Sequence, residues 1–165
     1  MSIQSDVKPI TISDEVAAST SFIAAAARPD TAFTLANTSF ASGGARLLQV
    51  TTAGTGDNGK TVTVVGTDTH GNSLTEVITS TGSAESVAGT KYFLTVSSAT
   101  CSAQYAANVS VGMTTGAAQA IFAGRVRLKS TSIVSAGTAG VVSFYDGTPE
   151  SGTVLFKART IGTDN

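Results

Sequence analysis

Tryptophan is absent from this sequence of 165 residues, and cysteine and histidine occur once each, as Cys101 and His70. A single thiol forms no internal disulfide, and one Cys with one His falls short of the four ligands of a structural zinc site. Charged residues make up only 13% of the chain and leave a formal net charge of -1. That balance argues against disorder driven by self-repulsion and against a nucleic-acid binder that works by neutralising many phosphates. No apolar run approaches the roughly 18 residues of a membrane span. The N-terminal MSIQSDVKPITISDEV lacks a basic segment followed by an apolar one, so no secretory signal is expected. On that expectation the acceptor-like triplets Asn37-Thr38-Ser39 and Asn108-Val109-Ser110 are chance matches in a Ser/Thr-rich chain.

What the chain has is small side chains: serine, threonine, alanine and glycine make up 87 of the 165 residues. Leucine, isoleucine, valine and phenylalanine number 38, enough for a core in a domain of this length. The apolar positions recur at the two-residue spacing of strands, in a composition rich in threonine and valine. In KTVTVVGTDTHGNSLTEVIT, Val62 and Val64 share a face, as do Leu74 and Ile78, and Thr69-His70-Gly71-Asn72 forms the turn between them. KYFLTVSS places Tyr92, Leu94 and Val96 on one side and Phe93 and Thr95 on the other, and NVSVGM aligns Val109 with Val111. RVRLKSTSIV reads as a strand with Val126 and Leu128 inward. VVSFYDG and TVLFKA form a hairpin with Val142 and Phe144 on one face and Val154 and Phe156 on one face.

These strands predict an all-β chain: a β-sandwich or barrel-like module over residues 46–116, then a small β-meander over 117–165. Residues 1–45 are expected to be an extended N-terminal arm or a partly ordered segment. Within them two readings stay open: Ser13-Asp14-Glu15 as the cap of a helix reaching Arg28, or an extended chain, because Ser19, Thr20 and Ser21 interrupt the helical pattern.

GTGDNGKT, from Gly54 to Thr61, satisfies the phosphate-loop formula G-x-x-x-x-G-K-[ST] letter by letter. A true loop of this kind opens a helix whose amides face the anion. Here β-branched Val62, Thr63, Val64 and Val65 follow, so the expected structure is a turn at Asn58-Gly59 between two strands and no nucleotide site. Asp68, His70 and Asn72 match no metal-loop spacing, and Cys101 is expected to be a small buried hydrophobe. No catalytic, cofactor-binding or metal site is therefore expected. Arg125, Arg127 and Lys129 form a basic stripe on one strand face, which either faces solvent and guards a sheet edge or meets an acidic partner.

GTDTHGNSLTEVIT followed by VAGTKYFLTVSSATCSAQYAANVSVGM resembles a module that recurs in virion proteins of tailed bacteriophages. Its features are a strand ending in G-T-D, a Gly-Asn turn, L-T-E opening the next strand, an F-x-T-V strand and a closing N-V-S-V-G. The resemblance covers residues 60–113, and the run from Arg125 to Ala158 is similar to a small β-meander common in phage structural proteins. It implies an assembly component without an active site, located on the capsid surface: a decoration or cement protein, a trimer by expectation. The implied partners are the major capsid protein or other virion subunits, with no direct nucleic-acid or membrane partner. Ile10, Ile12, Phe22 and Ile23 of the arm and the stripe of Arg125, Arg127 and Lys129 are the candidate contacts. Alternatives are a neck, tail or head-fibre component, and a carbohydrate-binding or adhesin domain, for which Tyr92, Tyr105 and Tyr145 are the aromatic platforms on offer.

Overall fold

A computed structural model describes residues 18–40, 44–114, 128, 130–133, 140–146 and 152–160. The protein is all-β, with no helix among the described residues. The strands are β1 (Ser19–Ala27), β2 (Arg46–Thr52), β3 (Thr61–Thr67), β4 (Ser73–Thr79), β5 (Ser86–Phe93), β6 (Thr95–Cys101), β7 (Val109–Met113), β8 (Gly140–Asp146) and β9 (Thr153–Thr160). The chain divides into two compact units, Met1–Gly124 and Arg125–Asn165.

In the first unit a four-stranded sheet of order β1-β7-β2-β5 faces a three-stranded sheet of order β4-β3-β6, with every neighbouring pair antiparallel. The core between them takes Ile23, Leu48, Val50, Phe93, Val109, Val111 and Met113 from one sheet. Val62, Val64, Ile78, Val96 and Ala99 come from the other. Strand β3 alternates buried and half-buried residues along its length, as expected for one face inward, so Val62 and Val64 are both fully buried. The turn between β3 and β4 falls where the sequence places it. Asp68 Oδ1 accepts the His70 and Asn72 amides at 2.8 and 2.9 Å, and Gly71 takes φ 82°.

The expected arm is part of this sandwich over its described length. Ser19–Ala27 is a strand paired with β7, although alanine favours helix. Tertiary pairing overrides that weak propensity because Ile23 and Ala24 enter the core and the Gly112 backbone admits the chain closely. A Cβ at Gly112 would lie 1.9 Å from the Ser19 carbonyl oxygen.

The face assignment for KYFLTVSS is corrected. Phe93 is fully buried together with Val96, whereas Tyr92 and Leu94 are half-buried. The run is two strands with a corner at Leu94, where the chain leaves one sheet for the other and two-residue periodicity is broken. The Leu94 amide donates to the Thr67 carbonyl at 2.8 Å, and a Cβ on Gly66 would stand 1.9 Å from the Thr95 carbonyl oxygen.

Both lateral gaps of the sandwich are bridged. On one side residues 31–39 run along β6: the Phe33 amide donates to Ala99, Val96 to Thr38 and Cys101 to Thr31. The same segment reaches β1, where the Ala36 amide and the Asn37 side chain donate to the Ile23 and Phe22 carbonyls. On the other side the buried Glu76 of β4 accepts the Thr90 amide and hydroxyl of β5 at 2.5 and 3.0 Å. Lys91 Nζ returns a bond to the Thr75 carbonyl at 2.7 Å.

The second unit contributes β8 and β9, an antiparallel hairpin in which Phe144 pairs with Phe156 and Val142 with Ala158. Of the expected strand before it, residues 128 and 130–133 are described and none is a strand; Leu128, expected inward, is 52% exposed. Arg125, Arg127 and Lys129 lie outside the described residues.

Gly66→Ala drives a methyl group into backbone that cannot yield, so it is expected to destabilise the first unit by about 3 kcal/mol or more. Urea unfolding monitored by circular dichroism measures this. An Ala variant with an unchanged midpoint contradicts the corner geometry.

Candidate functional site

The phosphate-loop look-alike supplies a dense polar cluster. Its glycines give the loop a conformation that other residues resist: Gly56 and Gly59 take φ 97° and 76°. The turn closes through Lys60 N–H to the Asp57 carbonyl at 3.2 Å and Gly59 N–H to the Ser80 carbonyl at 3.0 Å. Strand β3 follows at once, so no helix N-terminus faces the loop.

Asp57 is fully buried and accepts the Ala106 amide at 2.7 Å, the Lys60 ammonium at 2.9 Å and the Ala107 amide at 3.4 Å. Burial by itself pushes its carboxyl up, but the Ala106 amide, Lys60 and the Ala107 amide together outweigh burial and hold it below its ordinary value. Lys60 Nζ also donates to the Gln104 carbonyl at 2.6 Å and lies 5.5 Å from the centre of the Tyr105 ring. The Tyr105 hydroxyl meets Ser80 Oγ at 2.9 Å, and Arg28 Nε donates to the Tyr105 carbonyl at 3.0 Å. A lysine committed to a buried carboxylate and a carbonyl is a brace that ties loop 54–60 to loop 102–108.

The other sequence candidates fall as follows. Both Asp68 oxygens are engaged within the turn, Oδ2 by the Asn72 side chain at 3.1 Å, and no group of three metal-ligating residues occurs among the described residues. Cys101 is half-buried beside the core, and burial pushes its thiol up, away from the reactive thiolate. Tyr105 is fully buried and Tyr92 half-buried, which leaves Tyr145 as the exposed tyrosine of the three. Asn37 serves as the clamp on β1 described above. Ile23 is a core residue with no exposed side chain, and Phe22 is half-buried, stacked on Phe40 with centroids 5.8 Å apart. Ile10 and Ile12 lie outside the described residues.

A different surface stands out in the hairpin. Val141 and Leu155 are 62% and 61% exposed, and Val142, Tyr145, Val154 and Phe156 are also exposed. Residues 142, 144, 156 and 158 share one face, wholly apolar, with Phe144 and Phe156 stacked at 4.5 Å. Between Phe144 and Tyr145 the register shifts by one residue. The alternation of VVSFYDG carries the signal for Val142 and Phe144, whereas Val154, expected on the Phe156 face, pairs with Tyr145 across the register shift and falls on the other face.

No protein-family model, curated protein or solved structure matches this chain.

Because the folded Asp57 value lies below the unfolded one, its contribution is complete above about pH 4 and disappears as pH falls through the folded value. Asp57→Asn is therefore expected to lower stability at pH 7 by about 2 kcal/mol, with the gap from the parent protein narrowing on acidification. Urea midpoints of both proteins across the acid range test this. Titration of the parent protein with magnesium-ATP is expected to give no saturable heat.

Proposed function

We propose that this chain is a structural protein of a tailed-bacteriophage virion, a capsid decoration or cement protein that binds the assembled shell. The observation that carries the reading is the contrast between the two units. The first has bridged lateral gaps, and its polar loop groups are spent on one another. The second presents strands whose apolar side chains face outward. A chain with one closed interior and, among the described residues, one exposed apolar surface is suited to joining other subunits. The resemblance of residues 60–113 to phage virion modules supports a virion as that assembly.

The partner is the major capsid protein, with copies of this chain forming a small homo-oligomer on the shell. A subunit that binds the assembled lattice and not the separated subunits stabilises the lattice by mass action, by about 2.7 kcal/mol per site at a hundredfold excess over the dissociation constant. A specific joint of this kind buries about 1,200–2,000 Å² in total.

Purified virions from the producing host are expected to hold on the order of hundreds of copies, as the repeated sites of a symmetric shell require. Quantitative mass spectrometry gives the number, and cryo-electron microscopy is expected to place the density over the shell faces. Virions free of the protein overturn the reading. About a dozen copies or fewer at one vertex would replace it with a neck, tail or fibre role.

A further inference from the structure

We propose that strand β8 is a self-association edge, along which two copies of this chain pair antiparallel about a two-fold axis through Ser143. This goes beyond the shell-binding role and stands without it.

The first observation is that the hairpin has no third strand among the described residues. A two-stranded hairpin is marginal in water without a third strand or a packing partner. The unit that holds it, Arg125–Asn165, is about the size below which a fold needs disulfides, metals or association. It contains neither cysteine nor histidine, which removes the disulfide and the usual metal site. Burial against a further surface is what remains, and a second copy of the chain supplies one.

The second is the choice of edge. β9 carries Lys157 and Arg159, the kind of charge that guards a strand edge, whereas GVVSFYD has no lysine, arginine or proline. Among the described residues β8 is bonded to β9 alone, and residues 128 and 130–133 upstream form no strand.

The third is self-complementarity. Antiparallel pairing about Ser143 sets Val142 opposite Phe144 of the other copy, twice, and Val141 opposite Tyr145, twice. Each apolar row then runs on through the existing pairs, from Phe156 and Phe144 to the second copy's Val142 and Ala158. Every residue of the seven-residue strand is matched. A slip of one residue breaks every match by turning apolar side chains to the opposite face. The charges agree with this direction: Asp146 falls opposite Gly140 of the other copy, beside Val141, whose own partner across the hairpin is Arg159. Parallel pairing would set the two Asp146 residues side by side.

The contact is small. Seven residues span about 24 Å, and one added strand pair covers well under the roughly 800 Å² that each partner gives a standard interface. Association in solution is therefore expected in the range of about 10–100 µM, strengthened wherever copies are held side by side.

The test uses the full chain with Cys101→Ser and a single new cysteine. Ser143→Cys sits opposite itself across the proposed axis, whereas Val141→Cys sits opposite Tyr145. Under a mild oxidant at about 100 µM protein, Ser143→Cys is expected to form a disulfide-linked dimer at least about tenfold faster than Val141→Cys, because bridging demands closely opposed Cβ atoms. Sedimentation of the parent protein from about 10 to about 300 µM is expected to show a monomer–dimer equilibrium. Equal crosslinking of the two variants, a monomer throughout, or a trimer as the associated species each overturns the proposal. So does concentration-independent protection of the β8 amides in hydrogen exchange, which would mean that another segment of the same chain holds the edge. No shell is present in these experiments, so their failure leaves shell binding to its own test.

Discussion

Every strand at the margin of a sheet carries backbone donors and acceptors that its own sheet leaves unpaired, and leaving them exposed invites pairing with other chains. The first unit has four such margins, on β1, β5, β4 and β6. Residues 31–39 serve two of them at once, bonding to β6 along its length and to the Ile23 carbonyl of β1. The other two face each other and are joined through the Glu76 carboxylate and Lys91. The position of the core follows from these ties, since they hold the two sheets in the separation that Phe93, Leu48 and Val62 fill. In the second unit β8 is bonded to β9 alone among the described residues, so the same constraint bears on its other edge.

The abundance of small residues has a mechanical meaning in this architecture. Gly66 admits the Leu94 corner, and Gly112 admits the backbone of β1. A Cβ on Gly89 would stand 2.5 Å from the Glu76 carboxylate. At each position backbone or a charged group approaches where any side chain would intrude, so the closure of the sandwich depends on atoms that are missing. Threonines and serines add local bonds between strands, as between Thr67 and Thr95 at 2.7 Å. The polar chemistry that remains is spent inside the fold: Lys60 and Asp57 bind two loops together.

Much of the architecture was legible in the residues. The β3–β4 turn is local chemistry, written in Asp68, Gly71 and Asn72, and the hairpin of VVSFYDG with TVLFKA is readable from two apolar runs around a loop, though not the register shift that separates Val154 from the Phe156 face. The strand nature of Thr61–Thr67 was readable from its β-branched run, and with it the mismatch between GTGDNGKT and a phosphate-binding loop. The corner at Leu94 was not readable, because a strand that changes sheets keeps its apolar content while losing its period. Nor were the backbone partners of Asp57, which lie 49 and 50 residues away and donate through amides that carry no residue signature.

Sequence alone determined the class of this protein: all-β, poor in chemically versatile side chains, with turns at positions set by glycine, asparagine and aspartate. These are properties of nearest neighbours along the chain, where φ preference and alternation act. Tertiary structure decided that Ser19–Ala27 is a strand and not a helix, that Ile23 is core and not contact, and that Glu76 is a buried bridge and not a surface acid. Among the described residues it also decided which apolar side chains are buried and which are exposed. Each of those outcomes depends on what arrives from a distant part of the chain, and burial is a relation between segments that no single segment encodes.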